Sequence, residues 1–151
     1  PDLSDSLDGH LIEAENSAAK ATALAPHVGT YAYVYGEMLR INKKVDEAKA
    51  AYQKALDATP PHPKAAVKLA LVLYDAGQYP EAEVFLTDML AKDPKNASLY
   101  YNLGWVYSAQ KKYKLGVDAF EKYLSLAPKE DGDRGKAAAE IKSLKKKGGI
   151  R

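Results

Sequence analysis

Apolar residues recur along this chain at intervals of three and four, the spacing that places side chains on one face of an α-helix. Polar turns interrupt the pattern every 13 to 16 residues. The pattern predicts eight helices and no strands. Their expected spans are 4–24, 30–42, 45–58, 63–76, 79–92, 97–110, 113–126 and a last helix within 131–147.

Four prolines give the chain an internal period. Pro26, Pro60, Pro94 and Pro128 stand 34 residues apart, each just past an apolar helical run. Proline cannot continue a helical hydrogen-bond ladder, so each marks a helix end. Two small residues also recur in every period, one in each helix; they are Gly36, Ala70 and Gly104, then Ala48, Ala82 and Gly116. Small side chains allow close helix approach, so each period predicts an antiparallel helix pair.

The period predicts one all-α domain over 1–151. Its parts are a partial repeat at 1–26, full repeats at 29–62, 63–96 and 97–130, a capping helix at 131–147 and a tail at 148–151. Ala14, Ala18 and Pro26 match the second half of a further unit, so we expect either a chain cut from a longer array or a natural cap. The capping helix would pack through Ala137, Ala138 and Ile141, and its other face is rich in lysine.

The charge is small overall but unevenly distributed. The net charge is +2, yet residues 134–151 carry +6, so the preceding residues carry −4. An acidic body with a basic tail is unlike a nucleic-acid-binding surface, and no nucleic acid is expected as partner. The tail lysines serve either as the polar outer face of an end helix or as an attraction for an acidic partner or anionic membrane surface. No apolar run is long enough for membrane insertion, and both a cytoplasmic and a periplasmic location are compatible with the chain.

Catalytic and metal-binding signals are absent from the sequence. There is no cysteine, and His10, His27 and His62 lie in separate segments without a metal-ligand spacing. No phosphate-binding loop or nucleophile-elbow motif occurs. Most of the eleven tyrosines invite a packing role rather than base stacking, since several fall at repeat packing positions. We therefore expect no enzyme activity, no catalytic residue, no metal and no cofactor.

The repeat resembles the tetratricopeptide repeat (TPR) family, whose 34-residue unit has the pattern W-x2-L-G-x2-Y, A-x3-F and P. Residues 29–128 match it three times, as in Tyr100, Leu103, Gly104 and Tyr107 followed by Gly116, Phe120 and Pro128. The resemblance implies an α-solenoid of helix pairs in a right-handed superhelix, with a concave surface lined by the first helix of each pair. It also implies a protein or peptide as partner.

The resemblance carries the groove positions of the family onto ten residues of this chain. They are Tyr33, Glu37, Arg40, Lys64, Lys68, Leu71, Tyr74, Tyr101, Asn102 and Trp105. Large aromatic side chains are common interface anchors, which favours Trp105 and Tyr101 as contacts to a partner. Arg40, Lys64 and Lys68 offer cations for an acidic group, and Asn102 offers a donor and an acceptor. The alternative for Trp105, Tyr33 and Tyr74 is that their rings pack within the protein.

One subtype of the family is disfavoured by the residues present. Chaperone-binding members hold a C-terminal carboxylate with a clamp of Lys, Asn and Arg side chains. At the clamp positions this chain has Tyr33 and Glu37, then Lys68, then Ser98 and Asn102. The resemblance therefore does not extend to a chaperone co-factor role.

Three functions remain compatible with the sequence. The first is a non-catalytic adaptor that binds a peptide segment or helix of a partner protein and helps to assemble a complex. The second is a spacer within a longer array, and the third is an accessory module of a larger enzyme. The N-terminal helix would either occupy the groove or mediate self-association.

Overall fold

The computed structural model describes residues 3–151, with side chains from Leu7 onward, so residues 1 and 2 of the predicted partial repeat lie outside it. The described residues form eight α-helices and no strand. The helices are α1 (Leu3–Leu24), α2 (Gly29–Ile41), α3 (Val45–Asp57), α4 (Ala65–Asp75), α5 (Tyr79–Lys92), α6 (Ala97–Ala109), α7 (Tyr113–Leu126) and α8 (Arg134–Gly148). None of these helices is both long and apolar enough to cross a membrane.

The chain divides into two compact units. The first ends at Val72 and contains α1, α2, α3 and most of α4; the second is Leu73–Arg151. In the first unit α2 packs against both α1 and α3. In the second, α6 packs against α5 and α7, and α7 packs against α8. Sequential antiparallel packing of this kind is the architecture of an all-α helical repeat.

Each helix pair is closed by a glycine that faces an aromatic ring, as the sequence predicts. A Cβ placed on Gly36 would lie 2.7 Å from the ring of Tyr52, and one on Gly104 would lie 2.7 Å from the ring of Phe120. Both rings are fully buried. Contacts this short leave no room for a methyl group, so glycine sets the distance between the two helices of the pair.

The turns within the helix pairs share one backbone conformation. Lys43, Gly77 and Lys111 stand 34 residues apart, and each has a positive φ, at 58°, 73° and 59°. Only glycine adopts this region without a steric penalty, so the first and third turns hold a lysine where the backbone favours glycine. Gly77 therefore ends α4 as the sequence predicts, and Pro80 lies in the first turn of α5.

A glutamate clasp ties consecutive repeats together in both units. In the first unit the carboxylate of Glu15 accepts hydrogen bonds from the Asn42 amide and, at 2.6 Å, from Lys44 Nζ. In the second unit Glu83 accepts from Gln110 at 2.7 Å and from Lys112 at 2.6 Å. The residues of the second clasp each follow those of the first by 68 positions, or two periods. Each clasp fixes a second helix to the turn within the next pair.

The last helix differs from its prediction in two respects. It begins at Arg134 rather than at 131, because the Asp131 carboxylate shapes the preceding turn: it accepts from Tyr123 Oη at 2.6 Å and from the Asp133 amide at 2.9 Å. Ala137 is fully buried, but Ala138 is exposed, so its predicted packing role is wrong within this chain. The second helix of a pair, which would cover Ala138, is absent from the described residues after α8.

Candidate functional site

The ten predicted groove residues lie on the first helices of the pairs and belong to both units. In the first unit Tyr33, Glu37 and Arg40 are on α2, while Lys68 and Leu71 are on α4 and Lys64 immediately precedes it. In the second unit Tyr74 is in the last turns of α4, and Tyr101, Asn102 and Trp105 are on α6. Nine of the ten are half-buried, and Lys64 is exposed. The two groups are described separately below.

A charge cluster centred on Glu37 occupies the first unit. Lys68 Nζ lies 3.0 Å from one carboxylate oxygen of Glu37, and Arg40 Nε lies 3.6 Å from the other. The hydroxyl of Tyr52, a buried ring of the core, donates a hydrogen bond to the same carboxylate. Because Tyr52 has no carboxylate at its own position, the pattern of apolar residues alone gave no sign of this contact.

The electrostatics of this cluster favour a charged carboxylate. Burial on its own raises the pKa of Glu37, but the hydrogen bonds from Tyr52 and Lys68 and the two neighbouring cations outweigh it and lower the pKa below its ordinary value. Burial and the bond to Glu37 raise the pKa of Tyr52, so its hydroxyl stays protonated and donates. Arg40 and Lys68 are thus partly neutralised by Glu37. Lys64 is the exposed cation among the predicted residues of this unit.

Tyr33 stacks on a histidine that sequence reasoning assigned to a connector. The rings of Tyr33 and His62 are 3.9 Å apart and inclined by 16°, and the Tyr52 ring lies 5.9 Å from Tyr33 on the core side. Burial, with the charge of Lys64, lowers the pKa of His62, so the ring is neutral at pH 7. The imidazole accepts at Nδ1 from the Lys64 amide at 3.3 Å. Tyr33 therefore packs within the protein on both faces, although its side chain remains half-buried.

An aromatic cluster occupies the equivalent place in the second unit. Trp105 meets the buried Phe120 ring edge-on, at 5.3 Å and 82°, and meets Tyr101 at 6.0 Å and 81°. Tyr101 also contacts Phe120 at 5.9 Å and Tyr123 at 5.0 Å. Edge-to-face contacts in this distance range are attractive beyond the area they bury. The four rings hold the indole in one orientation on α6.

Trp105 combines packing with exposure. Its ring rests on the core cluster of α6, α7 and α8, yet the residue is only partly buried. Its Nε1 makes no hydrogen bond to any residue in the described part of the chain, and it is not among the buried polar atoms that lack a partner. An indole seated on a rigid base, with an accessible donor, is suited to contact a partner.

Polar groups flank this aromatic cluster on α6. The Asn102 amide donates to the Ser98 carbonyl at 2.7 Å, which commits one of its N–H groups and leaves its oxygen available. Ser108 Oγ donates to Glu140 on α8 at 2.9 Å. Tyr74 packs against Tyr79 at 5.3 Å. Burial raises the pKa of Tyr74, and the neighbouring Tyr79, Asp75 and Glu140 add to the rise.

No geometry for metal binding accompanies these residues. Within residues 3–151 no three His, Asp or Glu side chains come together in a way that would hold an ion. His62 is occupied by Tyr33, and Asp46 and Glu47 are exposed in the first turn of α3, where carboxylates favour the helix dipole.

Comparison with known proteins agrees with this architecture. Two tetratricopeptide repeat family models match the chain, one at residues 9–63 and the other at 39–89 and 73–147. Human tetratricopeptide repeat protein 7B is 30% identical over 118 residues, which are 78% of this chain and 14% of that protein. The human protein O-mannosyl-transferase TMTC1 is 31% identical over 113 residues, 75% of this chain and 12% of that protein. The chain thus spans about one seventh of the length of the curated relatives it matches.

Solved structures share the fold at lower identity. The crystal structure of MamA protein has a TM-score of 0.77 at 19% identity and covers 98% of this chain and 79% of its own. The first TPR of Spaghetti (RPAP3), bound to the HSP90 peptide SRMEEVD, has a TM-score of 0.68 at 21% identity and covers 79% of this chain and 91% of its own. Family models that together match residues 9–147, and helix pairs closed by small residues every 34 positions, show that this chain belongs to the tetratricopeptide repeat family.

Proposed function

We propose that this chain is a non-catalytic interaction module that binds a peptide segment or a helix of a partner protein through the first helices of its repeats. The observation that carries the proposal is Trp105, which is oriented by Tyr101 and Phe120 but keeps part of its surface and its Nε1 accessible. TPR domains are generally interaction modules, and the solved RPAP3 domain holds a peptide.

The chemistry of the residues indicates how the partner would be held. An apolar or aromatic side chain of the partner would pack on Trp105 and Tyr101, and a backbone carbonyl would accept from the indole. The exposed cation Lys64 would attract an acidic side chain. A free C-terminal carboxylate is not the expected anchor, since Glu37 already consumes charge from Lys68 and Arg40. This mode differs from the clamp of chaperone-binding family members.

Peptide display on the intact chain tests this proposal. Selected peptides would be titrated against the wild type and Trp105→Ala, with circular dichroism to check folding. Burial of an anchor residue at an interface contributes about 2 kcal/mol, so Trp105→Ala should weaken binding about 30-fold. Lys64→Glu lies on an exposed side chain and tests the same surface without touching the core. Ala50→Lys, on the exposed side of α3, is the matched control and should leave affinity unchanged.

The result that would overturn the proposal is binding that both Trp105→Ala and Lys64→Glu leave unaltered. A second role, as an accessory module of a larger enzyme, is supported by the small share of its relatives that this chain covers and by the transferase names among them. An open reading frame that continues into a transferase domain would favour that role. The interaction surface would then serve the enzyme's own substrate or partner.

A further inference from the structure

Helix α1 exposes a residue that is buried wherever its repeat position recurs. Ala14 occupies the small-residue position of a second helix, and it is exposed. The residues 34, 68 and 102 positions later, Ala48, Ala82 and Gly116, are all buried. In a complete pair that position faces the first helix. The exposure of Ala14 therefore marks a second helix whose first-helix partner is absent from the described residues.

Helix α8 shows the complementary exposure. Ala138 occupies the small-residue position of a first helix, and it is exposed, whereas its equivalents Gly36, Ala70 and Gly104 are all buried. In a complete pair this position faces a large residue of the second helix, as Gly104 faces Phe120. One end of the described chain thus presents an unpaired second helix, and the other end presents an unpaired first helix.

The exposed surface at the first of these ends extends onto α2. Tyr31 is 42% exposed, while its equivalents Ala65 and Leu99 are buried at 0% and 2%. We define the N-terminal apolar face as the residues that share this edge, which are Leu7, Leu11 and Ala14 on α1 and Tyr31, Val34 and Ile41 on α2. Leu11 and Ile41 line one depression of about 520 Å³ between the two helices. Its size and apolar lining are suited to a helix with small side chains.

Charge identifies the occupant that fits this face. Residues 1–16 contain five acidic side chains and no Lys or Arg, and Asp8 and Glu13 are exposed. Residues 134–151 carry +6. On the same side of α8 as Ala138, Lys142 and Lys146 are exposed, and neither forms an ion pair with a described residue. A basic first helix with a small contact residue matches an acidic apolar face that lacks a first helix.

We propose that copies of this chain associate head to tail, with α8 of one copy docked on the N-terminal apolar face of the next copy. In that position α8 takes the place of the missing first helix, and Ala138 faces Ala14 across the new pair. The lysine stems cover apolar surface while their charges meet Asp8 and Glu13. Because the two surfaces differ, each dimer retains one free surface of each kind and further copies can add.

Two substitutions at exposed alanines break one surface each without disturbing the core. Ala14→Lys blocks the apolar face, and Ala138→Lys blocks α8; both keep helix propensity close to that of alanine. Ala50→Lys on the exposed side of α3 is the control. Sedimentation velocity of the 151-residue wild type should show a mass that rises with concentration above the monomer value of 16.4 kDa. Each blocking variant should remain a monomer, and the control should associate like the wild type.

Mixing the two blocked variants tests the polarity of the interface. Ala14→Lys retains an intact α8 and Ala138→Lys retains an intact apolar face, so an equimolar mixture should form a dimer of twice the monomer mass and nothing larger. Added salt should weaken that dimer, because the facing charges are solvent-exposed and are screened.

Several results would overturn the proposal. A wild type that stays monomeric at all concentrations would do so, as would a mixture of blocked variants that stays monomeric. Loss of association in Ala14→Lys but not in Ala138→Lys would indicate a symmetric contact between two apolar faces. The reverse pattern would indicate a symmetric contact between two copies of α8. Either symmetric result contradicts head-to-tail docking.

Discussion

Replacing Gly104 by alanine should destabilise the protein, although the same change elsewhere in a helix stabilises it. A Cβ at this position would lie 2.7 to 2.8 Å from three carbons of the Phe120 ring. That ring is fully buried and is held by Trp105 and Tyr101, so it has no space to retreat. Overpacking of this kind costs about 3 kcal/mol at the upper end of its usual range.

The helix itself favours the substitution. Alanine is better than glycine in a helix interior by about 1 kcal/mol, which offsets part of the clash. The net loss in the free energy of unfolding should be about 2 kcal/mol. For a chain of this size each kcal/mol moves the melting temperature by about 2–4 °C, so Gly104→Ala should melt about 4–8 °C below the wild type.

A matched control comes from the same unit. Gly135 lies in α8, and a Cβ there meets no atom within 4 Å. Gly135→Ala should therefore raise the free energy of unfolding by about 0.5–1 kcal/mol. Thermal and urea unfolding followed by circular dichroism measure both variants under identical conditions. The two substitutions are chemically identical, so opposite signs isolate the contact with Phe120.

A second substitution tests whether Phe120 is the group that clashes. Leucine occupies the equivalent position of the middle repeat, Leu86, where the equivalent small residue is Ala70. Gly104→Ala combined with Phe120→Leu should therefore be more stable than the sum of the single changes predicts, by about 1 kcal/mol or more of coupling energy. Gly104→Ala with wild-type or higher stability, or a double variant that is simply additive, would refute the reasoning.

Three further predictions concern the turns, the clasps and the charge cluster. Lys111→Gly and Lys43→Gly should each raise the free energy of unfolding by up to about 1 kcal/mol, because both residues have a positive φ; unchanged or lower urea midpoints would count against this. Glu83→Gln should lower it by at most about 1 kcal/mol, since the ion pair with Lys112 is partly exposed, and a larger loss at high salt would contradict the electrostatic cause. Glu37→Gln should lower stability at pH 7. The pKa of Glu37 is below its ordinary value of 4.5 in the folded chain, so the stability it contributes is present above that value and is lost as pH falls through the lowered pKa. Urea unfolding at pH 7 and in acid should therefore show a difference from wild type that vanishes in acid.

The periodic features of the fold were accessible from the sequence because they depend on local rules. Helices α5 and α7 have the predicted bounds, since proline, turn residues and apolar spacing act over a few residues. Asn96 caps α6 by accepting from the Leu99 amide, as expected of its residue type. The 34-residue period then transferred each packing assignment from one repeat to the next.

The features that escaped prediction are contacts that break the period or cross between helices. The bond from Tyr52 to Glu37 and the stack of His62 on Tyr33 join residues with no counterpart in the other repeats. The exposure of Ala138 depends on what lies beside α8, which residue type alone does not encode. The role of Trp105 was left between groove and core, and the structure places its ring on the core edge with part of it accessible.

The most direct test of the proposed interaction surface uses the single tryptophan. In a nitrogen–proton correlation spectrum of the labelled chain, Trp105 gives the one indole Nε1–H resonance. Titration with a peptide selected by display should shift that resonance together with the amides of α6, and should leave the amides on the exposed side of α3 unmoved. A saturable titration that shifts the α3 amides and leaves the indole resonance in place would contradict the account.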